Sequence, residues 1–156
     1  MIYVSKEVAA NEGVQSGHPK LSRSDIWKGL VMKAENALPF VPGMATCNVV
    51  KRMPNGLVRD IIFRGEDARE RITLYPEKKV VFVRESGNVD GFIVNEILGD
   101  DDLRLRFSFA LQLVDAPSDS PEEREFRQIM ERDYLKAVDA TLGAIRKMVV
   151  DPQYAT

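Results

Sequence analysis

Two arginines, a glutamate and two tyrosines fall on runs whose other members are apolar, and these are the side chains that could do chemistry in this sequence. In Leu57–Arg64, alternation puts Arg59 on the face of Leu57, Ile61 and Phe63, with Asp60 and Arg64 on the other. The same parity sets Arg84 beside Val80 and Phe82, and it sets Glu96 beside Phe92, Val94 and Leu98. A guanidinium in an apolar interior is costly unless a carboxylate or an anionic ligand meets it. Glu96 is therefore expected to pair with Arg59 or Arg84. The competing expectation is that both arginines sit at strand ends, packing their stems and keeping their heads in water. Tyr75 and Tyr134 offer hydroxyls that either reach a ligand or wet the rim of the fold.

Other reactive residue types are sparse. His18 is the only histidine and lies in a polar loop beside Gly17 and Pro19, with no visible partner to orient it as a base. Cys47 is the only cysteine, so an intrachain disulfide is excluded, and a buried inert thiol on a strand is expected. With one His and one Cys, no metal site of the usual zinc type is expected. Asp100-Asp101-Asp102 lacks the spacing of a calcium loop and reads as a solvated turn. No cofactor is expected.

The elements that must position these groups are legible from periodicity. Ile2–Ala9 reads as a first strand. A loop over residues 11–20 leads to a helix with Ser22 or Ser24 as cap and Leu21, Ile26, Trp27, Leu30 and Val31 at helical spacing. Trp27 suits core packing. Glu35–Phe40 is predicted to form a second short helix, ended by Pro39 and Pro42-Gly43. From Ala45 the period becomes two, giving strands at about 45–52, 57–64, 68–75, 79–85, 91–98 and 103–114. Pro54-Asn55-Gly56 is a hairpin signal, and turns this short make neighbouring strands antiparallel. In the last strand Leu103, Leu105, Phe107, Phe109, Leu111 and Leu113 share one face. A long amphipathic helix then runs from about Pro121 to Val149, with Phe126, Ile129, Met130, Tyr134, Val138 and Leu142 on its inner stripe.

Composition narrows the class. The chain has 156 residues, 44% hydrophobic and 29% charged, as expected of one soluble globular domain. A net charge of −2 argues against a generally basic nucleic-acid binder. No apolar run reaches the ~20 residues of a membrane span, and Met1–Lys6 lacks the pattern of a signal peptide. A cytoplasmic location is expected.

The order strand, two short helices, six meandering strands, long helix resembles the helix-grip fold of the START and birch-pollen-allergen superfamily (SRPBCC). Leu21–Leu30, Lys33-Ala34-Glu35, Phe40–Gly43, Gly56–Arg59 and Leu103–Phe109 are similar to the AtaL-like family. The resemblance implies an α+β fold over residues 1–156, a single START-like ligand-binding domain. Its seven-stranded curved antiparallel sheet would surround the C-terminal helix, with two short helices after strand 1 and a cavity between sheet and C-terminal helix. The expected function is binding of a small hydrophobic or amphipathic molecule without catalysis. Arg59 or Arg84 would hold a polar end, with Glu96 and Tyr75 nearby. Phe63, Phe82, Phe107, Phe109, Met130, Tyr134 and Val138 would line the walls. The alternative is a polyketide cyclase-like enzyme of secondary metabolism, with pocket arginines stabilising an enolate and Tyr or Glu moving protons. A third reading is a protein-interaction or oligomerisation module, such as a homodimer, with any cavity filled by side chains.

Overall fold

The computed structural model describes residues 1–11 and 20–150; the side chains of Tyr134 and Leu135 lie outside that description. The elements are β1 (Ile2–Ala9), α1 (Arg23–Glu35), β2 (Met44–Met53), β3 (Gly56–Phe63), β4 (Glu66–Tyr75), β5 (Lys79–Ser86), β6 (Val89–Leu98), β7 (Arg104–Leu113) and α2 (Pro121–Val150). All seven strands form one antiparallel sheet in the order β1-β7-β6-β5-β4-β3-β2. Only β1 leaves its sequence neighbour, crossing over to pair with β7. The turns explain the meander. Asn55 lies in the two-residue loop between Met53 and Gly56, and at the next hairpin Arg64 and Gly65 both take positive φ, 52° and 82°. Register shifts in β2 between Met44 and Thr46 and between Val49 and Lys51 bend that edge strand.

The helices lie on one face of this sheet. α1 begins with a reciprocal capping box: the Asp25 amide donates to Ser22 Oγ (3.1 Å) and the Ser22 amide to Asp25 Oδ2 (2.8 Å). Its buried stripe is Ile26, Gly29, Leu30, Lys33 and Ala34, the spacing of one helix face, and it packs over β5 and β6. Arg23 ties its start to the β4–β5 turn by donating to the Glu77 carbonyl at 2.7 Å. α2 starts where Ser120 Oγ accepts from the Glu123 amide and runs 30 residues, about 45 Å. It packs over β7, β1 and α1, with Met130, Ala137, Val138, Leu142 and Ile145 buried.

Among the described residues one helix, not two, follows β1. Asn36 leaves α1 in an extended conformation (φ −153°, ψ 105°), and the amides of Phe40 and Val41 both donate to the Ala37 carbonyl at 2.9 Å. Pro39 has no amide to continue a helical ladder, so the segment closes as turns. Phe40 is thereby driven into the core. Ser22, rather than Ser24, is the cap of α1. Trp27 is half-buried at the helix flank, outside the buried stripe.

The α1–α2 contact depends on the absence of a side chain at Gly29. A Cβ there would collide with Ile145 Cγ1 and lie 2.5 Å from its Cδ1, whereas a Cβ at Gly143 meets nothing within 4 Å. Gly29→Ala is expected to lose about 1–3 kcal/mol through forced separation of the helices. Gly143→Ala is expected to gain up to about 1 kcal/mol from helix propensity. Urea unfolding of the two variants checks the contrast.

Candidate functional site

The inward faces of the sheet carry a row of charge. Register places Arg59 of β3 opposite Glu70 of β4, and Glu70 opposite Arg84 of β5. Arg59 Nε and Nη2 reach Glu70 Oε1 at 3.0 and 2.9 Å, and Arg84 Nε reaches Oε2 at 3.2 Å. All three side chains are almost fully buried. Arg59 Nη1 donates to the carbonyls of Lys33 and Ala34 at 2.8 and 3.0 Å. Those carbonyls belong to the last turn of α1, where no intrahelical donor remains and the helix end is partly negative. Arg59 thus caps α1 from the sheet. Burial pushes the Glu70 carboxyl up, but Arg59, Arg84 and Lys33 outweigh it and hold the group below the usual carboxylate range.

Lys33 is the member of this cluster that is not so well met. Only 5% exposed, it leaves α1 toward the sheet and donates to Asn95 Oδ1 of β6 at 2.6 Å. Its Nζ stands 4.6 Å from the Phe82 ring centre and 4.7 Å from that of Phe107, near enough for both rings to favour a cation. Burial pushes its pKa down from 10.5 to about 7; Arg59 adds to the fall, while Glu70 and Cys47 pull upward. Asn95 is wholly buried, and its Nδ2 has no hydrogen-bond partner among the described residues. Lys33, Asn95, Arg59, Glu70, Phe82 and Phe107 surround a void of about 10 Å³, closed further by Val41, Met44 and Ile93. That is about the room of one water.

Sequence parity locates most of the expected side chains but not all. Arg59, Phe63, Phe82, Arg84, Phe107 and Phe109 point inward. Met130 and Val138, on α2, are buried and do not line this void, which lies under α1. Glu96 does not join the arginines. It lies on the outer face and pairs with Arg106 at 2.6 Å. β6 is apolar on both faces, so its alternation is ambiguous; pairing with β7 puts Ile93, Asn95 and Ile97 opposite Phe109, Phe107 and Leu105, and turns Phe92 outward at 45% exposure. Tyr75 is likewise outside, 44% exposed, with Lys79 Nζ 5.1 Å from its ring centre. Cys47 is half-buried and accepts from the Ala37 amide, where full burial was expected. His18 and the side chain of Tyr134 fall outside the described residues.

Lys33, Glu70 and Asn95 are the site residues that sequence parity overlooks. Each had a signal. Lys33 completes the stripe Ile26, Leu30, Ala34; Glu70 alternates with Ala68 and Ile72; Asn95 alternates with Ile93 and Ile97. Among the described residues no cluster of His, Cys, Asp or Glu could hold a metal ion, and no helix is long and apolar enough to cross a membrane.

A buried amine that titrates near neutrality makes stability depend on pH with a definite sign. The unfolded chain holds this proton up to about pH 10.5, and the folded chain releases it above about 7. Between those values folding expels a proton, so stability rises with pH. Relative to Lys33→Met, the native chain is expected to gain about 1.4 kcal/mol for each pH unit over that window. Urea unfolding of both proteins from pH 6 to 10 measures the difference, which should be flat below pH 7.

Solved structures with the same architecture give the fold its context. ZhuI aromatase/cyclase from Streptomyces sp. R1128 superposes with a TM-score of 0.70 at 17% identity, covering 95% of each chain. A START superfamily protein from Mycobacterium smegmatis gives 0.60 at 18%, covering 90% of this chain and 97% of that one. StfQ, a di-domain aromatase/cyclase of the steffimycin biosynthetic pathway, gives 0.62 at 13%, covering 99% of this chain and 52% of that one. No curated protein matches by sequence. The model of one family, acetylaranotin biosynthesis cluster protein L, matches residues 8–151, and the chain belongs to that family, AtaL.

Proposed function

We propose that the protein binds a small, mostly apolar molecule in the interior between the sheet and its helices, with the polar end of the ligand at Lys33. The observation that carries this reading is the pair of buried donors, Lys33 Nζ and Asn95 Nδ2, beside a void walled by Phe82, Phe107 and Ile93. A packed protein gains little by keeping an amine and a half-used amide in its core, because each is costly to bury. A ligand that meets them relieves that cost and adds apolar burial at about 25 cal/mol per Å². Arg59 and Glu70 hold the floor of the site through their mutual bonds.

A void of about 10 Å³ admits no such ligand unless a side chain yields. Met44 is the one residue of the lining that is also partly exposed, at the start of the bulged edge strand β2. Its unbranched thioether changes rotamer cheaply, so Met44 is the gate in this reading.

A second reading, a polyketide cyclase-like enzyme of secondary metabolism, draws support from the likeness to ZhuI and StfQ and from an amine that titrates near pH 7. Such an amine can both give and take a proton at neutral pH. Turnover separates this reading from simple binding.

Thermal unfolding against a panel of lipophilic acids, alcohols and phenols tests the binding reading, together with native mass spectrometry of the protein purified from its source. At least one compound should raise Tm, and its titration heat should show the negative heat-capacity change of apolar burial. Met44→Ala should speed association several-fold. If no compound raises Tm and only the bare chain mass is seen, the reading fails.

A further inference from the structure

The hydrogen-bonding groups left unused around the void are donors. An ammonium has three protons to donate, and Lys33 uses one on the Asn95 amide oxygen. The Asn95 Nδ2 group has two protons and uses neither. Among the described residues Lys33 forms no salt bridge, and both Glu70 oxygens are engaged by Arg59 and Arg84. What the site lacks is therefore an acceptor, and its surroundings say which charge that acceptor carries. Arg59 stands close enough to Lys33 to lower its pKa, so a second cation in the void would be repelled. The Phe82 and Phe107 rings stand close to Lys33 Nζ, and a charge-assisted bond in this buried setting is roughly twice as strong as a neutral one.

We infer that the ligand's polar end is an oxyanion, a carboxylate in its simplest form, seated between Lys33 Nζ and Asn95 Nδ2. The inference rests on the binding reading above and deepens it by naming the chemical class. The carboxylate supplies lone pairs for the unused N–H groups and gives Lys33 the counter-charge that Glu70 gives the two arginines. The titratable and charged groups about Lys33 are Arg59 on β3, Glu70 on β4 and Cys47 on β2, with Arg84 of β5 on Glu70's other oxygen. Glu70 stays ionised through neutral pH, because its carboxyl is held below the usual range. The group that changes charge near neutrality is Lys33.

Decanoate and decanol, which share a tail and differ at the end, make the test. Calorimetric titration at pH 6 should show decanoate binding about 10- to 100-fold tighter than decanol, the effect of one charge-assisted hydrogen bond. Above pH 7 the free protein loses the Lys33 proton that the bound state needs. Decanoate affinity should then fall by up to about tenfold per pH unit while decanol affinity stays level. Lys33→Met should abolish the preference, with decanoate losing about 10- to 100-fold more affinity than decanol. Asn95→Asp replaces the amide donor by a carboxylate that faces the ligand's, meets Lys33 and repels an anion, and it should invert the preference. Equal affinities in the native protein, or a preference that survives both substitutions, overturn the oxyanion assignment and leave the binding reading standing. Failure of both compounds to bind overturns the two together.

Discussion

The rest of the structure is organised around the pairing of Arg59 with Glu70. A buried guanidinium has to be met on all sides, and this one is met by a carboxylate from the neighbouring strand and by two carbonyls at the end of α1. The bonds therefore join three requirements. They stabilise the register of β3 against β4, because Arg59 and Glu70 face each other only in that register. They satisfy carbonyls that the helix cannot satisfy itself. They also hold the C-terminal turn of α1 down on the sheet, and that turn carries Lys33. Breaking a buried pair of this kind by removing one partner typically costs about 3–5 kcal/mol, since it strands the other charge.

Holding α1 in place creates the tension at Lys33. The helix face that packs on the sheet is apolar at Ile26, Leu30 and Ala34, and the inward position just before Ala34 is a lysine. The fold tolerates it by laying the ammonium between two phenyl rings and against one amide oxygen, and by letting its pKa fall to about 7. Such a compromise weakens the α1–sheet contact at one point while the α1–α2 contact at Gly29 stays tight. A weak point inside an otherwise close-packed interior is where a ligand changes the energy most, which is why the functional reading centres on Lys33 and not on the arginines.

Legibility along the chain followed how one-sided each segment is. β7 carries leucine and phenylalanine on one face and arginine, serine and glutamine on much of the other, so its inward set is unambiguous. β3 is nearly as clear, and Arg59 was found through it. β6 offers Phe92, Val94 and Leu98 to one side and Ile93 and Ile97 to the other, and alternation alone cannot rank them. A strand shifted by one residue exchanges its faces, so Glu96 and Asn95 traded places relative to the expectation. The need of Arg59 for a carboxylate was legible; its supply by Glu70 required the cross-strand register.

By itself the sequence determined the order of the strands along the chain, the antiparallel meander, the long closing helix and the presence of charge on an apolar face. These follow from local periodicity, capping and turn chemistry, which short segments express without reference to distant ones. Tertiary structure alone decided which carboxylate meets Arg59, that a lysine of α1 lies buried against Asn95, and that a water-sized void lies beside them under α1. The reason is that burial and pairing are relations between segments far apart in the chain. Lys33 and Asn95 are 62 residues apart, and no local pattern carries the distance between them.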